Sequence, residues 1–135
     1  MSALGFPHRR QHSPASVPDG GPPIDAQKLQ VYNVALEFDA LASGVGAAAG
    51  GLRDQLSRAS ASVILNTAEG AGRRSRRDKA RFYGIARGSA MEAAACWDLL
   101  FRRRLIQADE YHTGRVLQVR VVQMLSALEK RMLAS

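Results

Sequence analysis

The stretch LRDQLSRASASVILNTAEGAGRRSRRDKARFYGIARGSAM, residues 52–91, reads as two helices joined by a tight turn. From Leu52 to Glu69, the residues Leu52, Leu56, Ala59, Val63 and Asn66 recur at steps of three and four, the period of a helix that buries one stripe. Gly70 and Gly72 offer the left-handed residue that ends such a helix. Ser75 and Asp78 make a Ser-x-x-Asp cap, from which a further helix runs to about Arg103. Its inward stripe reads Phe82, Ile85, Ala86, Ser89, Ala93, Cys96 and Leu100. A second apolar stripe, Tyr83, Ala90, Ala94, Trp97 and Phe101, lies about 100° away around the same helix.

The pattern continues on both sides. Upstream, Val31, Val34, Ala35, Phe38 and Leu41 predict a helix from about Asp25, placed to cap it, to Ala42, followed by a glycine-rich break at 43–51. Downstream, Tyr111, Gly114, Leu117, Val121, Leu125, Leu128 and Met132 predict a last helix from about Asp109 to Leu133, its face widened by Val116, Val119 and Val122. All five prolines lie in the first 23 residues, so nothing beyond them interrupts a helical ladder. Alternating steps of three and four with short connections specify neighbouring antiparallel helices. The expected fold is therefore all-α: an antiparallel up-and-down four-helix bundle over 24–135, preceded by a disordered Pro-rich N-terminal tail over 1–23.

Composition restricts the function. A chain of 135 residues has room for one core. With 19 basic residues against 12 acidic ones, the net charge of +7 favours anionic partners. The single cysteine, Cys96, permits no disulfide within the chain and falls on an apolar stripe, where it reads as a small buried hydrophobe. Neither a spanning segment nor a signal-peptide core is evident, so no membrane is expected and the expected compartment is cytoplasmic. His8, His12 and His112 are scattered, which leaves no metal-ligand spacing. Gly44-x-Gly46 and Gly70-x-Gly72 lack the strand and the Lys-Ser/Thr of a phosphate loop. The expectation is a protein that is not an enzyme and needs no cofactor.

At this point the polar residues carry a resemblance. Asp54-Gln55 with Arg58-Ala59, Asn66-Thr67-Ala68-Glu69-Gly70 with Gly72-Arg73, Arg81-Phe82, Ile85-Ala86-Arg87-Gly88-Ser89 with Glu92, and Met124-Leu125 with Leu128 occur in order over residues 52–130. The chain resembles the four-helix-bundle family of 23S rRNA intervening-sequence proteins. It is more distantly similar to the accessory proteins of diversity-generating retroelements. In place of the family's aromatic-rich stretch before its second helix stands Gly44-Val45-Gly46-Ala47-Ala48-Ala49-Gly50-Gly51. The resemblance implies a homo-oligomer, often a pentamer, linked to RNA and without a defined catalytic activity.

Three groups of residues are candidates for function. Pairing the two central helices about the turn sets Gln55 and Arg58 opposite Glu92, so Arg58 is expected to hold Glu92 with Gln55 completing the network, while Asn66 and Glu69 fasten the turn. The competing use of Glu69 and Glu92 as an acid/base pair has no other support in the sequence. The surplus apolar positions Tyr83, Trp97, Phe101, Val116 and Val119 either complete the core or form an inter-subunit surface. Last comes the basic run Arg73, Arg74, Arg76, Arg77, Lys79 and Arg81, with Asp78 its only acid. Arginine forks and the positive end of a helix suit phosphate oxygens. The expected function is an RNA- or DNA-binding adaptor, the alternative being a scaffold that binds a protein partner and uses its charge for solubility.

Overall fold

The computed structural model describes residues 24–134; the expected tail over 1–23 lies outside them. Four helices follow a short 3₁₀ turn at Asp25–Lys28: α1 (Gln30–Ala42), α2 (Gly51–Gly72), α3 (Arg76–Arg102) and α4 (Ala108–Leu133). Each helix packs against its neighbours in the chain, and α4 closes the ring against α1, which gives the up-and-down bundle.

The ends obey local chemistry. At α3 the Ser75 hydroxyl accepts the Asp78 N–H at 3.0 Å, the cap expected from the sequence. α4 begins earlier than expected, with a capping box in which the Glu110 carboxylate accepts the Gln107 N–H at 3.0 Å. Asp25 does not cap α1, which starts instead after Leu29. Neither Gly70 nor Gly72 is left-handed: both stay helical, and α2 ends on the extended Arg73. Among the described residues only Gly50 and Arg104 have positive φ, 57° and 62°. Arg104 ends α3, where the Leu105 N–H reaches back to the Leu100 carbonyl at 2.8 Å and the Arg104 N–H to Phe101 at 3.0 Å.

The core is built from α1's full expected stripe and one broad face of α3, joined by Leu56, Ala59 and Val63 of α2 and Leu117, Val121 and Leu125 of α4. Trp97, wholly buried, is its centre. Its ring meets Phe38 edge-on at 5.3 Å between centroids, and its Nε1–H donates to the Tyr111 carbonyl at 3.0 Å. Gly114 makes this packing fit, because a Cβ there would stand 2.6–2.7 Å from indole carbons. At the other end of the hairpin, Gly70 lets α2 approach α3; a Cβ would lie 2.8 Å from the Tyr83 ring.

Tyr83 and Trp97, 3% and 0% exposed, are therefore core residues of the single chain. They are corrected from the expected inter-subunit surface. The buried face of α3 falls between the two stripes read from the sequence, so it takes the inner members of both. Phe101, Val116 and Val119 remain partly open to solvent.

On the flank of α3 and α4, Asp98 accepts from the Tyr111 hydroxyl at 2.6 Å and pairs with Arg115, whose guanidinium also donates to that hydroxyl at 3.0 Å. Burial works to raise the Asp98 carboxyl, but the Tyr111 hydrogen bond and Arg115 outweigh it and hold it below the usual carboxylate range. A depressed folded value means this support is complete above the unfolded carboxylate range and disappears as pH falls through the lower folded value. Asp98→Asn is expected to lower stability near neutral pH by less than about 1 kcal/mol, since the pair is well exposed and screened. Thermal melts as a function of pH should show the deficit closing in acid; a deficit constant with pH would assign it to packing.

Candidate nucleic-acid interface

The basic run folds into the tight connection 73–75 and the first turns of α3, and its six residues take three different positions. Arg76 and Lys79 serve helix ends. The Arg76 guanidinium donates to the Arg131 carbonyl and, at 3.3 Å, to the Met132 carbonyl, covering the unsatisfied end of α4. The Lys79 ammonium donates to the Ala71 and Gly70 carbonyls at 2.8 and 3.3 Å, doing the same for α2. Arg73 and Arg81 lie against the half-buried Phe82 ring, at 4.6 and 4.4 Å from its centroid, and Arg73 also pairs with Glu69 at 2.7 Å. Arg74 and Arg77 are exposed and have no protein partner among the described residues.

An open depression lined by Glu69, Gly72, Arg73, Arg74, Ser75 and Asp78 lies beside this turn. The positive end of α3 adds to the field there. Sequence reasoning placed the cluster but missed its division of labour. The missing signal is spatial: nothing local to Arg76 says that the end of α4 folds beside it.

The expected polar network is only partly formed. Glu69 fastens the turn through Arg73. Asn66 instead donates back one turn, to the Ser62 carbonyl at 2.9 Å and its hydroxyl at 3.1 Å. Besides Lys79 on the end of α2, a cross-helix polar contact between α2 and α3 is Ser62 Oγ to Ser89 Oγ, at 2.7 Å. Gln55, Arg58 and Glu92 are all exposed, and no hydrogen bond or ion pair joins them. The Arg58–Glu92 bridge is thus corrected: solvent satisfies both charges better than a constrained surface pair would. Accordingly, Glu92→Gln is expected to change stability by no more than about 0.5 kcal/mol. A larger loss in a denaturant melt would show that the exposed carboxylate has a partner outside the single chain.

Cys96 is buried, and desolvation first, then the Glu92 charge, pushes its thiol up, away from a reactive thiolate. Among the described residues no three His, Cys, Asp or Glu side chains gather as a metal site requires. No described helix is long and apolar enough to cross a membrane.

Residues 27–127, which span all four helices except the ends of the first and last elements, match the family of 23S rRNA-intervening sequence proteins. The chain belongs to this family. Its members' bundle is also found by comparison with solved structures. One match is the crystal structure of a protein of unknown function from the S23 ribosomal protein family of Bacteroides thetaiotaomicron, 22% identical. The alignment covers 74% of this chain and 95% of that one, with a TM-score of 0.67. At that identity the likeness speaks for the fold alone. No curated protein matches. Within the family frame, Asn66 and Ser89, matched from the sequence, bear on the α2–α3 seam, whereas Arg58 and Glu92 point to solvent.

Proposed function

We propose that the chain is a non-enzymatic, homo-oligomeric binding protein that engages RNA or DNA through the connection between α2 and α3. The observation that carries this reading is the pair Arg74 and Arg77: two exposed guanidiniums without protein partners among the described residues, one in the tight connection and one in the first turn of a 27-residue helix, at its positive end. An ion pair, two caps and the Phe82 ring engage the other four cations of the run, so these two are the ones left to meet phosphate. Phe82 is half-buried and already has two guanidiniums against its ring, so a base would have to compete with them to stack there. Phosphate contacts then dominate, and affinity falls steeply with salt. Filter binding of an RNA duplex at low and near-physiological salt tests this. Affinity should drop with a log–log slope of roughly 0.9 per phosphate engaged. Absence of binding even in low salt overturns the nucleic-acid reading.

A protein scaffold with no direct nucleic-acid role is the second reading, and the oligomer that both readings share is supported by a separate observation. Leu65, Ile85, Met91 and Leu99, on the outer surface of α2 and α3, are 66%, 43%, 52% and 41% exposed. Together with Val116 and Val119 on α4 they leave apolar area that a second copy of the chain would cover. Light scattering should give a native mass several times the 14.6 kDa of one chain. A mass of one chain removes the assembly.

A further inference from the structure

The far end of α3 carries a second group of cations that the turn at 73–81 does not use. Arg102, Arg103 and Arg104 are consecutive, exposed and without partners among the described residues. The acids nearest in the chain are occupied: Asp98 by Tyr111 and Arg115, Glu110 by the Gln107 N–H, and Asp109 by the Glu110 N–H at 2.9 Å. Asp98 is thus ion-paired elsewhere, and Asp109 and Glu110, which keep their charge, are turned to backbone N–H groups at the start of α4 and pair with none of the three arginines.

Beside them stands an aromatic stack absent from the other end. Phe101 lies nearly parallel to Tyr111, 4.4 Å between centroids and 17° between planes, and the exposed His112 ring meets Tyr111 edge-on at 5.7 Å. Tyr111 is itself fixed by its hydrogen bond to Asp98. Phe101 is still 37% exposed, so a side chain backed on one side by Tyr111 meets solvent immediately before the arginines in the chain. The left-handed Arg104 turns the chain back at the end of α3, its N–H returning to the Phe101 carbonyl at 3.0 Å. α3 rises about 1.5 Å per residue, which separates this pole from the first by about 40 Å.

We infer that the Phe101–Arg104 pole is a second, distinct nucleic-acid site, selective for single strands, in which an unpaired base stacks on Phe101 and the adjoining phosphates meet Arg102, Arg103 and Arg104. Planar aromatics flanked by cations suit single strands, because every unpaired base has a π-face while a duplex hides it. The inference takes its ligand class from the proposed function but stands on different residues. The first pole, where two guanidiniums already lie against the Phe82 ring, takes phosphate without regard to strandedness.

The test uses the full chain carrying Arg74→Gln and Arg77→Gln, which silences the first pole. Its probes are a labelled short oligouridylate and an RNA duplex of equal length, followed by fluorescence anisotropy. The single strand should bind more tightly than the duplex. Phe101→Leu should weaken the single strand roughly tenfold and leave the duplex unchanged, with Phe101→Tyr restoring affinity. Changing the three arginines to glutamine should lower the salt slope by roughly 0.7 for each phosphate no longer neutralised. The inference is overturned if Phe101→Leu leaves single-strand affinity unchanged in a protein that circular dichroism shows to be folded, or if strand and duplex bind alike. Loss of all binding in the Arg74/Arg77 background also overturns it, while leaving the first-pole reading intact. Single-strand binding that persists there but vanishes when Arg102, Arg103 and Arg104 are also changed supports this pole and leaves the first untouched.

Discussion

Gly114→Val is expected to destabilise the bundle by about 3 kcal/mol, through overpacking and a disturbed hydrogen bond. The new side chain must occupy space 2.6–2.7 Å from the Trp97 indole, which is wholly buried and held by the Tyr111 carbonyl. Neither partner has room to move, because Phe38 lies against the same indole. For a domain of this size the loss corresponds to a fall in melting temperature of about 12–20 °C. Trp97→Ala opens the opposite defect, a cavity in place of a clash, and should cost about 3–5 kcal/mol. The two are coupled. Joining Gly114→Val with Trp97→Leu should cost less than the sum of the single changes, since the smaller side chain vacates the contested volume. Strict additivity in a denaturant-melt cycle would show that the glycine serves some other purpose.

The second large effect separates binding from stability within a single run of cations. Changing Arg74 and Arg77 to glutamine should weaken duplex RNA roughly tenfold or more at low salt and flatten the salt dependence by roughly 0.9 for each phosphate released. The melting temperature should hardly move, as both side chains stand in solvent. Arg76→Gln and Lys79→Gln should do the reverse. Each uncovers carbonyls at a helix end, at a cost of about 0.5–1.5 kcal/mol. The measurement is paired: anisotropy titration and thermal melt on the same four variants. If all four lose affinity equally and none loses stability, the caps are not formed in solution.

How far the sequence reaches depends on how sharply its apolar positions are confined. In α1 they are few and clearly spaced, and Val31, Val34, Ala35, Phe38 and Leu41 are all buried as read. The up-and-down arrangement followed from such stripes and from the absence of proline. α3 is ambiguous because alanine occupies so much of its circumference. Ala86, Ala90, Ala93 and Ala94 are all buried, so two stripes that look alternative merge into one face. In α2 the period pointed Asn66 inward, yet Thr67 is the fully buried residue; its hydroxyl is satisfied by the Val63 carbonyl at 2.7 Å, which removes the cost of burying it. Gly70, read as a helix end, is a packing surface for Tyr83. Each of these outcomes depends on how closely two helices approach, and a one-dimensional period carries no such distance. The basic cluster was visible as composition. Its capping roles were not, since Arg76 joins residues more than fifty positions away.

Arg76 gives the turn a thermodynamic linkage. A guanidinium whose Nε and Nη2 already satisfy the carbonyls of Met132 and Arg131 has only its remaining Nη donors to offer a phosphate. A forked grip through Nε and Nη2 requires it to leave the helix end, so recruiting Arg76 in that mode is opposed by fraying of the final turn of α4. Such a mode would cost the complex as much as that terminus gains from being held.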